Sequence, residues 1–330
     1  MCIRDRPDSI FPFWLGCSSL FNCYRAGQTL QKRFKRTPVF RTDKKYHVWH
    51  ATQPLPLRHK NAVQVTTIHD LIPLIQPHLC DEIRSAFHEN VEEAIRNSRA
   101  IAVVSENTKK DLLRYFSVPE EKLVVTYQFS PVSRQPCDEA RLDQMLRLFD
   151  LERGRYILFV GTLDIRKNLK RLIDAYLMLG NDVPLVLVGR TGWNVDDEMS
   201  FIHKLKPSPG RDIRQLDYVP ARMMSALYQG AGCLAFPSLY EGFGLPVLEA
   251  MASGCPVVCS SNSSLPEVAG DAAHYVDALD EESISQGLGK VMGDKAYRAM
   301  LVERGRARAA FFSEEQFQRQ ITELYRRALA

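Results

Sequence analysis

The chain has 330 residues, of which 45% are hydrophobic and 25% are charged, and its formal net charge is +4. These values are typical of a globular protein with two domains, and they argue against a membrane-spanning protein, because no apolar run reaches the roughly 18 residues that a spanning helix needs. The eight cysteines include no CxxC pair, which argues against a zinc site and fits a reducing compartment. We therefore expect a cytoplasmic protein with no metal site.

The positive charge is concentrated at the beginning of the chain. Residues 1–60 contain twelve Lys and Arg and three Asp, which gives a net charge of +9. Because the whole chain carries +4, residues 61–330 carry a net charge of −5. Such a segment can meet anionic lipid, nucleic acid or an acidic substrate, and a solvated surface explains it at least as well. We expect no nucleic-acid partner, and we keep a peripheral contact with the inner face of an anionic membrane as a hypothesis.

Short apolar runs alternate with amphipathic stretches in the first half of the chain. Ser105 precedes one such stretch and suits the N-cap position of a helix, since its hydroxyl can accept a hydrogen bond from a free N–H of the first turn. The Pro- and Ser-rich segment Ser130–Pro136 is typical of a linker. The predicted strands are Tyr46–His50, Val63–Ile68, Ile101–Val104 and Leu123–Tyr127, and the predicted helices are Glu82–Asn97 and Asn107–Phe116.

The second half repeats the alternation more regularly. Its continuous apolar runs suit a parallel sheet that is covered on both faces, and strand–helix alternation predicts a doubly wound α/β fold with ligands at the carboxyl ends of the strands. Ser313 followed by Gln316 is a capping-box pattern that predicts a final helix. The predicted strands are Tyr156–Val160, Leu185–Val188, Ile213–Tyr218, Leu234–Phe236, Val257–Cys259 and His274–Val276, and the predicted helices are Asp138–Leu151, Leu169–Leu179, Pro220–Gln229, Pro246–Ser253, Glu281–Met292 and Ser313–Ala330.

The segment that points most strongly to chemistry is Tyr240–Ala252, which reads YEGFGLPVLEAMA and follows a predicted strand. Gly242 and Gly244 allow a sharp turn close to a ligand, and the helix that begins after them would direct free N–H groups and the positive end of its dipole at a phosphate. Glu241 and Glu249 bracket this position and could accept hydrogen bonds from sugar hydroxyls. The alternative is a surface loop with two solvated acids.

Two further segments follow predicted strands. In the first, FVGTLDIRKNL, Gly161 permits a close backbone approach, and Arg166 and Lys167 could neutralise a pyrophosphate, although an exposed basic pair is common by itself. The second, Leu216–Pro220, could hold a nucleobase through backbone hydrogen bonds. In the first half, His69 and Asp70 end a predicted strand, and a structural histidine is nearly as good an explanation of His69 as a functional one.

Taken in this order, the three segments resemble the retaining glycosyltransferase family 4, whose members have the two-domain GT-B architecture. EGFGLPVLE matches the family's pair of glutamates eight positions apart, and GTLDIRKNL looks like the version found in bacterial mannosyltransferases of polysaccharide assembly. The resemblance implies an α/β fold with two Rossmann-like domains facing a cleft. We expect an acceptor-side domain over residues 1–136, a donor domain over 137–312, and a helix over 313–330 that crosses back to the first domain.

The resemblance also implies roles for individual residues. Glu241 would contact the donor sugar and Glu249 the ribose, Arg166 and Lys167 would hold the diphosphate with backbone N–H groups near Leu245, and His69 would face the donor sugar across the cleft. The expected catalytic residues are therefore Glu241, His69, Arg166 and Lys167. The expected donor-binding residues are Gly161, Thr162, Val219 beside the base, Gly242, Phe243, Gly244, Leu245 and Glu249.

This chain also departs from the family pattern. Met1–Gly27 lacks the strand and glycine-rich loop with which members begin, and Gln128-Phe129 replaces the usual Asn-Gly pair, so we expect the first domain to be incomplete at its start. The implied reaction is retaining transfer of a sugar from a nucleotide diphosphate, GDP-mannose first and UDP-sugars next, to a glycan or lipid-linked acceptor without a metal. A sugar-nucleotide epimerase of GT-B architecture and a nucleotide-sugar-binding module without catalysis are the alternatives.

Overall fold

The computed structural model describes residues 37–41, 45–55, 57–79, 84–130, 138–204, 208 and 210–330. The expected incomplete start, at Met1–Gly27, and all but the first residue of the expected linker lie outside these ranges. Among the helices in the described ranges, none combines the length and the apolar character that a membrane span requires.

The first half is built on a parallel sheet of four strands, which are, in spatial order, β2 (Val48–Ala51), β4 (Val63–Ile68), β5 (Ala100–Val103) and β6 (Leu123–Val125). The central strands β4 and β5 are almost entirely buried, as their valine, isoleucine and alanine content favours. The short strands β1 (Val39–Phe40) and β3 (Arg58–His59) pair separately. The helices are α1 (Ile72–Ile75), α2 (Arg84–Asn97) and α3 (Glu106–Tyr115), with 3₁₀ turns at Pro77–Leu79 and Glu120–Lys122.

Helix α3 begins where the sequence predicts a helix start. The Ser105 hydroxyl accepts a hydrogen bond from the backbone N–H of Thr108, which satisfies one of the free donors of the first turn. Glu106 in the first turn also suits the positive end of the helix dipole. The predicted N-cap is therefore confirmed, and the helix begins one residue before the predicted Asn107.

The second half is built on a parallel sheet of six strands, β7 (Ile157–Val160), β8 (Leu185–Val188), β9 (Ile213–Leu216), β10 (Cys233–Phe236), β11 (Val257–Ser260) and β12 (Ala273–Val276). Their spatial order is β12-β11-β10-β7-β8-β9. This order reverses direction between β7 and β10, so the first strand of this half and the fourth lie side by side. In a doubly wound fold this is the switch point, where the crossovers diverge to opposite faces and leave a crevice at the carboxyl ends of the strands.

Helices cover both faces of this sheet. Along β7, Ile157 and Phe159 pack into one apolar cluster and Leu158 into the other, so that both faces are buried, as predicted for continuous apolar strands. The sequence did not predict α6, α9 or α11. The helices are α4 (Glu139–Arg147), α5 (Leu169–Leu179), α6 (Asp196–Lys204), α7 (Ala221–Gly230), α8 (Leu245–Ser253), α9 (Leu265–Ala269), α10 (Glu281–Gly293), α11 (Lys295–Phe311) and α12 (Glu314–Leu329), with a 3₁₀ turn at Ile165–Lys167.

The final helix α12 lies on the sheet of the first half. Leu324 and Ala328 are buried there, against the side chains of Val65, Ala100, Ala102 and Val124. Ser313 caps the helix by accepting the N–H of Gln316 at 3.1 Å, which confirms the predicted helix start. A helix of the second half of the sequence therefore closes the core of the first half.

A histidine joins α12 to the sheet beneath it. Nδ1 of His50 lies 2.9 Å from the hydroxyl of Tyr325 on α12, and Nε2 lies 2.8 Å from the hydroxyl of Thr67 on β4. Burial lowers the pKa of His50 from 6.5 to about 4, with a smaller contribution from His69. The folded state is therefore more stable when the His50 imidazole is neutral than when it is protonated.

We predict that acid weakens the fold through His50. The pKa of His50 is lower in the folded state than in the unfolded chain, so protonation favours unfolding. The free energy of unfolding should therefore be highest above about pH 6.5 and fall by up to about 3 kcal/mol as the pH decreases toward 4. Urea unfolding followed by circular dichroism at pH 7, 5.5 and 4.5 would measure this loss. His50→Gln keeps hydrogen-bonding groups but does not titrate, so its free energy of unfolding should fall less over the same range; an equal fall in both proteins would contradict the prediction.

Candidate functional site

Two of the segments singled out in the sequence meet at the switch point between β7 and β10. The segment after β7 turns through the 3₁₀ turn Ile165–Lys167, where the Asp164 side chain accepts the N–H of Lys167. The segment after β10 runs alongside it, and the N–H of Leu239 donates to the carbonyl oxygen of Arg166 at 2.9 Å. The loops that follow two neighbouring strands are thus hydrogen-bonded to each other at the edge where ligands bind in this fold.

Arg166, Lys167 and Glu241 form a buried charge cluster. The ammonium of Lys167 lies 2.6 Å from Oε1 of Glu241, and the guanidinium of Arg166 lies 2.9 Å from Oε2, so each carboxylate oxygen has its own cation. Lys167 and Glu241 are each only 7% exposed. The Lys167 ammonium also lies 4.6 Å from the centre of the Phe236 ring, the last residue of β10.

The two cations keep this carboxylate ionised. Burial by itself would raise the pKa of Glu241, but the charges of Lys167 and Arg166 outweigh it and hold the pKa below its ordinary value. Asp164 lies 3.7 Å from the Arg166 guanidinium, so two cations face two carboxylates and the formal charge of the group is zero. The donors of Arg166 and Lys167 are nevertheless concentrated where the two loops meet, at the edge of the sheet where a ligand could contact them.

Two serines hold the Glu241 segment from the neighbouring loop. The N–H of Glu241 donates to the hydroxyl of Ser263 at 3.0 Å, and the buried hydroxyl of Ser264 lies within hydrogen-bonding distance of the carbonyl oxygens of Glu241 and Phe243, at 3.0 and 2.8 Å. Sequence reasoning missed these residues. The signal that could have found them is the serine-rich run at 260–264, which begins at the last residue of the strand β11.

Gly242 lies where the two halves of the chain touch. A Cβ at this position would collide with the carbonyl oxygen of His69 and lie 2.9 Å from Cβ of Asp70. Its own carbonyl oxygen accepts hydrogen bonds from the hydroxyls of Ser105 and Thr108, at 2.7 and 3.3 Å. Glycine is required here because the close approach leaves no space for a side chain.

Gly244 turns the chain into α8. Its φ of 105° is a conformation that side-chain-bearing residues rarely adopt, and no side chain in the described part of the chain caps the helix that follows. Pro246 lies in the first turn of α8, as predicted, and Leu245 is 37% exposed at its first position. Pro246 has no N–H, and the N–H of Val247 donates to the Gly244 carbonyl oxygen at 3.0 Å, so Leu245 is the residue of the first turn whose N–H could meet a ligand.

His69 and Asp70, from the first half of the chain, lie against Gly242. His69 is exposed at the end of β4, with Nε2 2.9 Å from the carbonyl oxygen of Thr52, while Asp70 accepts the N–H of Ile72 at 3.1 Å. Burial raises the pKa of Asp70, against the opposing effects of that hydrogen bond and of Arg166. The sequence named the His-Asp pair but assigned no role to Asp70, which lies opposite Gly242 in the folded chain.

Glu249 lies on α8, about one turn beyond the start of the helix. One of its oxygens accepts the hydroxyl of Tyr228 on α7 at 2.8 Å. Burial raises the pKa of Glu249, and the hydrogen bond from Tyr228 opposes this shift. Glu249 is therefore a half-buried carboxylate that already has one hydroxyl partner.

The other predicted donor-binding residues lie around the same edge of the sheet. Gly161 follows β7 with a φ of 149°, and Thr162 beside it is exposed. Val219 and Phe243, in contrast, direct their side chains into the apolar core, where Phe243 contacts the rings of Tyr127 and Phe312. In this arrangement Val219 and Phe243 offer a ligand their backbone atoms rather than their side chains.

We predict that the charge cluster is essential to the fold of the second half. Glu241→Ala leaves the buried Lys167 without its carboxylate, and removing one member of a buried ion pair costs roughly 3–5 kcal/mol. Urea unfolding should show this loss, and adding Lys167→Met should recover part of it, because the uncompensated charge is then absent. Asp174→Ala, which breaks an exposed pair with Lys170, is the control and should cost less than about 1 kcal/mol. A Glu241→Ala protein as stable as this control would contradict the prediction.

Comparisons with known proteins agree with this geometry. The family model described as "Glycosyl transferases group 1" matches residues 148–308, and the one described as "Glycosyltransferase Family 4" matches residues 6–133. The second match begins well before Tyr46, within the segment in which the motifs alone showed no family pattern.

Curated relatives include two mannosyltransferases. The O-antigen chain mannosyltransferase B of Escherichia coli is 34% identical over 290 residues, which cover 86% of this chain and 75% of the relative. The O-antigen chain mannosyltransferase RfbU of Salmonella typhimurium is 27% identical over 232 residues, covering 67% of this chain and 58% of the relative.

Solved structures share the architecture at lower identity. Sucrose-phosphate synthase from Thermosynechococcus elongatus matches with a TM-score of 0.71 and 18% identity over 92% of this chain and 76% of that chain. Anabaena HepE in complex with UDP-glucose matches with a TM-score of 0.70 and 18% identity over 79% and 71%. Together with two parallel sheets of Rossmann type, these matches establish the GT-B fold, and the chain belongs to the group 1 and family 4 glycosyltransferases.

Proposed function

We propose that this enzyme transfers mannose from a nucleotide diphosphate, GDP-mannose first, to an acceptor hydroxyl in polysaccharide biosynthesis, with retention at the anomeric carbon. The observation that carries the proposal is the buried charge cluster at the switch point, next to the uncapped start of α8. The choice of sugar is supported by the two relatives, which are O-antigen mannosyltransferases.

The cluster suits the departure of a diphosphate. Breaking the bond between the anomeric carbon and the phosphate oxygen leaves negative charge on the diphosphate, and cations that are already fixed in place stabilise this charge without reorganisation. Arg166 and Lys167 are fixed by Glu241, and the start of α8 adds the positive end of a helix dipole. We propose on this basis that transfer needs no metal ion.

The remaining residues suit the sugar and the ribose. Glu241 would accept a hydrogen bond from a hydroxyl of the donor sugar and stay paired with Arg166 or Lys167, since a carboxylate has about four acceptor positions. Glu249, with Tyr228 on one oxygen, would accept a ribose hydroxyl on the other. His69 lies across the crevice, where it can contact the transferred sugar as charge develops at the anomeric carbon.

For the acceptor we propose a glycan or a lipid-linked glycan, which would enter over the first domain. The net charge of +9 in residues 1–60 would suit an enzyme that works beside anionic lipid. Most of these residues lie outside the described ranges, so this contact remains a prediction from charge alone.

We predict that incubation with GDP-mannose and a mannose-terminated acceptor yields a mannosylated product whose anomeric configuration matches that of the donor. Mass spectrometry would detect the product, proton NMR would assign the anomer, and a chelator should leave the rate unchanged. UDP-glucose and UDP-N-acetylglucosamine serve as comparison donors. Interconversion of sugar nucleotides without transfer would favour the epimerase, and binding without turnover would favour a non-catalytic module; either result would overturn the proposal.

We predict that Glu249→Ala weakens GDP-mannose binding roughly 10- to 100-fold, because it removes a charge-assisted hydrogen bond worth about 1.5–3 kcal/mol. Calorimetric titration would measure the dissociation constant. Tyr228→Phe is the matched control, because it keeps the carboxylate and removes only the neighbouring hydroxyl, and its effect should be much smaller. Equal affinity in Glu249→Ala and the unaltered protein would remove Glu249 from the donor site.

A further inference from the structure

Helix α3 is one of the elements through which the first domain touches the donor domain. Its N-cap Ser105 and two of its side chains form hydrogen bonds with the loop after β10. The Ser105 hydroxyl donates to the Gly242 carbonyl oxygen, and the Asn107 amide and Asp111 carboxylate bond the Tyr240 hydroxyl, at 3.1 and 2.5 Å. All of these contacts are made within two residues of Glu241.

A carboxylate from the donor domain completes this contact. Oε1 of Glu267, on α9, accepts the backbone N–H of Glu106 at 2.7 Å, and Oε2 accepts that of Asn107 at 3.0 Å. These are two of the N–H groups that a helix leaves without an internal partner at its start. The pairing is charge-assisted and also favoured by the helix dipole, although Glu267 is 160 residues from α3 in the sequence.

Glu267 is itself held firmly on the donor side. The Arg308 guanidinium donates to the carbonyl oxygens of Glu267 and Val268, at 2.5 and 3.0 Å, and stacks over the rings of Phe311 and Phe312. The hydroxyl of Tyr127, in the first half of the chain, is hydrogen-bonded to the Glu267 carboxylate, and its pKa is raised by burial and by that carboxylate. The position of Glu267 is therefore determined from both sides of the domain boundary.

We propose that Glu267 is a positioning residue for sugar transfer: its carboxylate fastens α3 to the donor domain and so holds His69 and Asp70 opposite Glu241. The geometry supports this because α3 carries Thr108, whose hydroxyl lies within hydrogen-bonding distance of the carbonyl oxygens of His69 and Gly242, at 3.2 and 3.3 Å. Fixing the start of α3 thus fixes the spacing of the two walls of the crevice. The expected effect of Glu267 on catalysis rests on the proposed function, whereas its expected effect on the arrangement of the domains does not.

The test compares Glu267→Ala and Glu267→Gln with the unaltered full chain. Without the carboxylate the two walls are less well aligned, and misplacement of about 1 Å at a reacting centre costs on the order of 100-fold, so we expect kcat for transfer to fall roughly 10- to 100-fold. The dissociation constant of GDP should change by less than about twofold, because Arg166, Lys167 and Glu249 all lie on the donor domain and distant sites act independently. Small-angle X-ray scattering should show a larger radius of gyration.

Glu303→Ala is the control, since it removes an exposed glutamate from α11 and should change none of the three measurements. A loss of GDP affinity by the same factor as the loss of transfer would overturn the proposal, because Glu267 would then only support the fold of the donor domain. Unchanged transfer with an unchanged radius of gyration would also overturn it. If Glu267→Ala does not fold, Glu267→Gln decides the question, because it keeps the side-chain volume and one carbonyl acceptor.

The closing measurement separates this inference from the proposed function. If the unaltered chain transfers no sugar from any donor tested, the proposed function fails. Scattering and nucleotide titration with GDP, or with UDP if a uridine donor is selected, then still decide whether Glu267 controls the arrangement of the domains. An increase in radius with unchanged nucleotide affinity supports the positioning role, and the absence of an increase refutes it.

Discussion

The arrangement of the loops at the switch point of the second half depends on one buried carboxylate between two cations. Glu241 follows β10, while Arg166 and Lys167 follow β7, and the strand order makes these two strands neighbours. A buried charge is costly unless it is paired, so neither loop can take another conformation without leaving a charge uncompensated. This constraint fixes the crevice at the switch point and brings Gly242, Gly244 and the start of α8 to its edge.

The same constraint extends to the first domain. Because Glu241 is fixed, the carbonyl oxygen of Gly242 is available at a defined place for the hydroxyls of Ser105 and Thr108. The absence of a side chain at Gly242 lets the His69 backbone approach closely, and the Glu267 carboxylate holds the start of α3 nearby. The contact between the two halves of the chain is therefore organised by hydrogen bonds of the chain itself, as the proposed electrostatic stabilisation of a departing diphosphate would require.

Some elements escaped prediction for identifiable physical reasons. Helix α11 contacts its neighbours through small residues, since Gly305 lies against Met251 of α8 and Ala309 is buried, so the apolar periodicity that marks an amphipathic helix is weak. Strand β9 ends at Leu216, two residues before the predicted Tyr218. Phe243 was expected at the ligand from its place in the motif, yet its side chain fills the aromatic cluster with Tyr127 and Phe312.

The sequence by itself determined the features that depend on neighbouring residues. Short apolar runs predicted the strands, the hydroxyls of Ser105 and Ser313 predicted helix starts, and the alternation of strands with helices predicted the α/β class. These features could be predicted because such hydrogen bonds and burial patterns act over a few residues. The loops with candidate site residues were also recognisable, since each follows a strand.

Only the tertiary structure decided which of these residues meet. Lys167 and Glu241 are 74 residues apart, and Glu267 and Asn107 are 160 apart, so no local pattern indicates that they pair. Asp70 acquired its environment in the same way, because burial and the proximity of Arg166 arise only when the two domains come together. These partnerships depend on strand order and domain packing, which bring together side chains that the linear sequence separates.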